Sequence, residues 1–239
     1  MLNKTAIVTG GSSGIGRSIC NQLSNNGYFV INFDLKKYSS KNIYFYKTDL
    51  SNLKSVKKSF LLVTKKFKII SVLVNNAAIT KSNHFKDYKI KDWKSTFDVN
   101  ITTPFFLSQL FSRQLIKSKK IGSIINVTSI GAELAFPNNP AYQASKAGLK
   151  HLTKSMAYDL AKYKIRVNNL VPGYTKDGMN KKSWFNPKTR AARSKRSLLN
   201  RWAEPDEISN GVLYLIGENS NFITGTDLVV DGGWTIKGF

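Results

Sequence analysis

The sequence holds a single cysteine, Cys20, and only 14 acidic residues in 239. One cysteine excludes an intramolecular disulfide and any thiolate-cluster metal site. Cys20 is therefore expected to be a small packing residue on the first helix. No bound metal is expected. No apolar run approaches the ~18 residues that a membrane span needs. The opening M-L-N-K-T-A-I-V-T-G runs straight into a strand pattern, which leaves no room for a signal peptide. Cytoplasm is the expected compartment. There is no internal repeat and no low-complexity linker, and the length suits one domain over 1–239 with a sizeable core.

The shortage of acids leaves 37 Lys and Arg nearly unopposed, for a net charge of +23. A basic surface can signal nucleic acid, membrane or anionic substrates. Across most of the chain the charge reads as compositional bias with solvated lysines. Residues 176 to 201 stand apart, with nine Lys/Arg against one acid, Asp177. An even spread of charge does not produce that cluster.

What is plentiful is alternation. Apolar runs of strand length are expected at 5–9, 28–33, 43–46, 72–74, 123–127, 165–171 and 227–230. Amphipathic helices are expected at 15–26, 53–66, 93–117, 141–163 and 204–216. Near-continuous Val/Ile/Phe strands between helices indicate an α/β fold with a parallel sheet covered on both faces. Right-handed crossovers make it a Rossmann-type doubly wound sheet of about seven strands, with ligands at the carboxyl ends. The one long irregular stretch, about 174–201, follows the sixth strand and reads as a lid.

Gly10, Gly14 and Gly16 of T-G-G-S-S-G-I-G occupy the turn between the first strand and first helix. Glycine there permits a tight turn and close approach of backbone to a pyrophosphate, which the helix N-terminus then receives. Asp34 ends the second strand, where a carboxylate accepts ribose hydroxyls and repels a 2′-phosphate. Lys36 and Lys37 could pair with that phosphate, but flexible solvated ammoniums count for less. NAD is favoured over NADP. Asp49 is placed for the adenine edge. In N-N-A-A, Asn76 and Ala77 end the fourth strand, where small residues let a cofactor pass.

Tyr142 and Lys146 in Y-Q-A-S-K lie four apart, on one helix face. A cation beside a phenol pushes its pKa down. Ser129 ends the run I-G-S-I-I-N-V-T-S. With T-G-G-S-S-G-I-G, N-N-A-A, Asn100, Pro172-Gly173 and the closing I-T-G-T-D-L-V-V-D-G-G, the chain resembles a short-chain dehydrogenase/reductase over nearly its whole length. The resemblance implies an oxidoreductase that interconverts a secondary alcohol and a ketone. Tyr142 would be the general acid or base and Lys146 its electrostatic helper and a holder of the nicotinamide ribose. Ser129 would orient the substrate oxygen, and Asn100 would hold a water in a proton relay. It also extends the cofactor set to Ser12, Ser13, Ile15, Leu50, Pro172, Gly173 and Thr175. Four residues past Gly173 the family usually has threonine. Asp177 stands there instead, leaving Thr175 or backbone to hold the carboxamide.

The substrate is less legible. Trp184, Phe185 and Trp202 lie among the cations of the 176–201 segment. Trp184, Arg190 and Arg193 are candidates to contact an anionic or sugar-like substrate, with Arg196 a further arginine of the same kind. The alternative is 3-oxoacyl-(acyl-carrier-protein) reduction, with the basic patch docking an acidic carrier. A remote alternative is a nucleic-acid-binding protein on the same scaffold. Helices 93–117 and 141–163 carry Phe97, Phe105, Leu110, Leu149 and Leu152, and the resemblance implies that they pair in a homodimer or homotetramer.

Overall fold

The computed structural model describes residues 4–67 and 69–237. Seven strands form one sheet, all neighbours parallel: β1 (Thr5–Thr9), β2 (Phe29–Asp34), β3 (Ile43–Lys47), β4 (Val72–Asn75), β5 (Gly122–Val127), β6 (Ile165–Pro172) and β7 (Asp227–Val230). The order is β3-β2-β1-β4-β5-β6-β7. The chain works outward from β1 to β3, then returns to the other side of β1. That reversal opens a crevice at the carboxyl ends of β1 and β4, where such sheets bind ligands.

Alternate strand residues feed two cores. Ile7, Ile31, Ile124 and Val167 pack beneath α2 (Leu53–Lys66), α4 (Thr103–Ser118) and α5 (Pro140–Leu160). Ala6, Val8, Val30, Val74 and Ile125 pack beneath α1 (Gly14–Asn25) and α8 (Pro205–Ile216). Cys20 lies fully buried in this second core, and burial pushes its thiol up to about 12. A polar row crosses the sheet as well. Asn75, Asn126, Asn169 and Asp227 stand opposite one another in register and are joined directly or through the Thr153 hydroxyl. Buried amides need partners, so this row fixes the relative register of four strands.

Two expectations are corrected. The single helix expected over 93–117 is instead α3 (Ile90–Phe97), a π-helical turn at Asp98–Thr102, and α4. Pro104 has no N–H to give the Asn100 carbonyl four residues back, and the Thr103 N–H bonds five residues back to Asp98. The 174–201 stretch is not irregular: it carries α6 (Lys181–Phe185) and α7 (Pro187–Arg196). Asn186 caps α7 by accepting the Thr189 N–H at 2.9 Å, and Pro187 opens it without needing a donor. Of the apolar residues expected on a pairing surface, Leu149 is buried in its own chain, and Leu110 and Leu152 pack on the first core. Phe105 stays 47% exposed. Among the described residues, no helix is long and apolar enough to cross a membrane.

Candidate functional site

The glycine turn is closed from several sides. At Gly16 a Cβ would lie 2.1 Å from the Gly10 carbonyl oxygen and 2.4 Å from the Asn76 amide nitrogen, so no side chain fits. Gly14 has φ +51°, and its face lies against the Asp177 side chain. Asn76 donates to the carbonyls of Thr9 and Gly10, and the Thr9 hydroxyl accepts from Asn76 and Ala77 N–H. The Asp34 carboxylate accepts the N–H of Ser12 and of Lys36, both at 3.1 Å. Ser13 precedes α1 with its hydroxyl making no capping bond. A bare helix N-terminus, a glycine cradle and a carboxylate at the end of β2 fit an adenine dinucleotide.

Asp49 is exposed and its carboxylate accepts Ser51, in a local turn. Leu50 is buried in the first core, its carbonyl accepting the Thr103 hydroxyl. Ile15 packs on the second core. Gly173 follows the end of β6 and lies against Asp231. Thr175 is fully buried and donates its hydroxyl to the Gly173 carbonyl. Asp177, not Thr175, is the residue of this arm that reaches the glycine turn. Its carboxyl is pushed above the usual range by burial, against the bonds it accepts from Asn180.

Ser129, Tyr142 and Lys146 converge. Ser129 stands just past β5, with its Oγ accepting the Gly131 N–H at 3.0 Å and its side chain close enough to Tyr142 to lower the phenol's pKa. Tyr142 and Lys146 both rise from α5, a turn apart. The Lys146 Nζ is fully buried, donates to the Val127 carbonyl at 2.6 Å and lies 5.8 Å from the Tyr142 ring centroid. Asn100 projects from the π turn. Its side chain pairs with both the N–H and the carbonyl of Ile79 and donates to the Ser145 hydroxyl, which in turn donates to the Tyr142 carbonyl.

The electrostatics reverse one expectation. Tyr142 is not lowered: burial pushes its phenol up to about 12, the Ser129 hydrogen bond lowers it, and the charges of Asp177 and Tyr174 raise it further. Burial also pushes Lys146 down to about 7, so its cation is only partly present at neutral pH. The sign of the resulting pH effect is fixed. Between about 7 and ~10.4 the unfolded chain holds a proton on Lys146 that the folded chain lacks, so wild-type stability rises with pH across that window. Lys146→Met removes the effect. Its melting-temperature gain over wild type is expected to be largest near pH 6 and to shrink towards pH 10. A difference that does not vary with pH would contradict the buried, poorly protonated lysine.

Asn32, Arg17 and an aromatic cluster were not anticipated. Asn32 is fully buried in β2 and holds the glycine turn through Gly11 N–H and the Ser12 hydroxyl. A lone amide inside V-I-N-F was the available signal, since a buried amide needs partners. The Arg17 guanidinium stacks over Tyr38 at 4.4 Å and lines a cavity of about 470 Å³ with Gly14, Asp177, Lys181 and Trp184. This larger cavity adjoins the glycine turn rather than the Tyr142 hydroxyl. Trp184 thus faces the glycine-turn side, with Arg190 at 5.1 Å over its ring. Arg193 instead lies over Tyr174, on a cluster with Trp202, Trp234 and Phe136.

Comparison with known proteins follows the same lines. A sequence family described as enoyl-(acyl carrier protein) reductase matches residues 10–235. A 3-oxoacyl-(acyl-carrier-protein) reductase of Chlamydia pneumoniae is 34% identical over 98% of this chain and 98% of that protein. The structure of 4-hydroxyisoleucine dehydrogenase complexed with NADH superposes with a TM-score of 0.95 at 29% identity, covering 99% of this chain and 100% of that one. Aldohexose dehydrogenase of Thermoplasma acidophilum superposes with a TM-score of 0.93 at 31% identity, covering 99% and 95%.

Proposed function

This chain belongs to the short-chain dehydrogenase/reductase family of NAD(P)-dependent oxidoreductases acting on CH–OH groups, and we propose that it oxidises or reduces a polar, anionic or sugar-like metabolite at Ser129, Tyr142 and Lys146 with NAD. The observation that carries the proposal is the burial of the Lys146 amine on the Val127 carbonyl, 5.8 Å from the ring of Tyr142 one turn along the same helix, with Ser129 just past the same strand β5. The nicotinamide cofactor supplies the hydride donor or acceptor. The chain supplies the rest. The Tyr142 hydroxyl gives a proton to the substrate oxygen in reduction and takes it in oxidation. Ser129 holds that oxygen. Lys146 favours the phenolate when protonated and holds ribose hydroxyls. Asn100, tied to Ile79 and Ser145, keeps its place in the relay to Lys146.

Asp34 supports NAD as the cofactor, because its carboxylate already braces the Ser12 N–H at the end of β2 and would repel a 2′-phosphate. The 174–201 arm is assigned the role of lid. A homodimer or homotetramer through α4 and α5 is proposed with the exposed Phe105 at its surface; a monomeric mass by light scattering would remove that part. NADH is expected to bind more tightly than NADPH by fluorescence titration, with Asp34→Ala narrowing the difference. A wild-type preference for NADPH would remove the NAD assignment. It would favour a second reading, 3-oxoacyl-(acyl-carrier-protein) reduction, which the Chlamydia pneumoniae relative supports.

A further inference from the structure

The chain leaves Ser129 through a short loop, and Phe136 in that loop comes back to it. A Cβ built on Gly131 would lie 3.4 Å from the Ser129 Oγ and 3.7 Å from both the Phe136 Cδ2 and the Gln143 Cγ. The Ser129 hydroxyl and the edge of the Phe136 ring therefore border one point. Gln143 holds the ring there. Its side-chain oxygen accepts the Phe136 N–H at 3.0 Å, and its amide nitrogen donates to the Phe136 carbonyl at 2.6 Å. Gln143 adjoins Tyr142 on α5, so one helix carries both the phenol and the clamp. Pro137 restricts the Phe136 backbone further.

The loop is braced on either side of Phe136. Glu133 pairs with Lys150, also on α5, and Lys150 reaches Asp227 at 3.2 Å as well. The segment after β4 holds the other end. The Ser82 hydroxyl and the Asn83 N–H donate to the Asn138 carbonyl, and the Thr80 hydroxyl donates to the Asn139 amide oxygen. Trp234 and Tyr174 back the half-buried Phe136 ring at 5.5 and 6.2 Å. The result is a fixed aromatic wall beside Ser129. It also offers no free charge. Glu133 is the one charged residue between 130 and 139, and Lys150 takes it. The Lys146 amine turns instead to the Val127 carbonyl.

We propose that Phe136 is a specificity-determining residue of the alcohol site, selecting substrates whose reacting carbon bears a C–H flank on the Ser129 side, with any charge farther along the molecule. Gln143 touches neither reactant and is the positioning residue for that wall. The proposal rests on the assignment of the substrate oxygen to Ser129 and Tyr142, and narrows the substrate to one with no carboxylate on the reacting carbon. An aliphatic flank gains apolar contact with the ring. A carboxylate there would leave water for a wall that has no cation to meet it, and an unpaired buried charge is costly. The two Gln143 hydrogen bonds fix the Phe136 backbone before substrate arrives, so little freedom is lost on binding.

Steady-state reduction of 2-butanone and of pyruvate, with NADH or NADPH, whichever the protein uses, tests the wall. The two ketones differ only in an ethyl group for a carboxylate. Wild type should favour 2-butanone by at least ~10-fold in kcat/KM. Phe136→Ala should raise KM for 2-butanone at nearly constant kcat and shrink that preference at least ~5-fold. Gln143→Met keeps the length of the side chain and loses both hydrogen bonds. It should reproduce the change at wild-type cofactor affinity. Gln143→Glu still accepts the Phe136 N–H and should fall between. Ala135→Ser, exposed on the same loop, should leave the preference unchanged. A wild type that favours pyruvate, or a Phe136→Ala protein that keeps the wild-type preference, overturns the proposal and leaves the Tyr142 chemistry standing. Gln143→Met at the wild-type preference overturns the positioning role. Reduction of neither ketone overturns the proposal together with the assignment of the substrate oxygen beneath it.

Discussion

Gly16→Ala is expected to weaken NADH binding by at least ~10²-fold. The added methyl would lie 2.1 Å from the Gly10 carbonyl oxygen and 2.4 Å from the Asn76 amide nitrogen. Neither neighbour can yield freely. Gly10 is the turn itself, at φ +68°, and the Asn76 amide ties that turn to β1 through the carbonyls of Thr9 and Gly10. Relief requires moving the backbone that forms the cradle, away from where a pyrophosphate must approach. Overpacking of this kind also costs about 1–3 kcal/mol of stability. A fluorescence titration with NADH, paired with a thermal melt, separates the two effects. A folded Gly16→Ala protein with wild-type NADH affinity would mean that the turn does not receive the dinucleotide.

The sheet was legible because its strands are buried on both faces and read as apolar runs broken by helices. The strand ends differ from expectation by one residue, as at Asn75, Lys47 and Pro172. The π turn at Asp98–Thr102 was not legible. It preserves the apolar pattern on either side, and only Pro104 hints that an i to i−4 bond is missing. The helices of the 174–201 arm were missed because α7 has no apolar face of its own. Its arginines do their packing flat on the rings of Tyr174 and Trp184 within the arm and of Trp234, which is remote in sequence and brought there by the fold. Asn186-Pro187 is the one start signal that the sequence carries for α7.

The candidate site was legible as spacing, and its electrostatics were not. Tyr142 and Lys146 could be placed a turn apart from the sequence, but how deeply each is buried could not. Desolvation raises the phenol and lowers the amine, opposite to what a solvated pair would do. Asp177 was noticed as a departure, and the structure gives it a place against Gly14 and within electrostatic reach of Tyr142.

Tyr142→Phe should lower turnover of a secondary alcohol or ketone by at least ~10²-fold. The ring and its packing remain, while the hydroxyl proposed to exchange a proton with the substrate oxygen is gone. Lys146 stays buried on its Val127 bond and its proposed hold on the cofactor is untouched, so NADH affinity should change little. The decisive measurement is kcat for wild type and Tyr142→Phe on the best alcohol from a screen of sugar acids, polyols and hydroxyacyl thioesters, with NADH titrated alongside. The account predicts a loss of at least ~10²-fold in kcat at unchanged NADH affinity. Turnover close to wild type in the phenylalanine variant would contradict it.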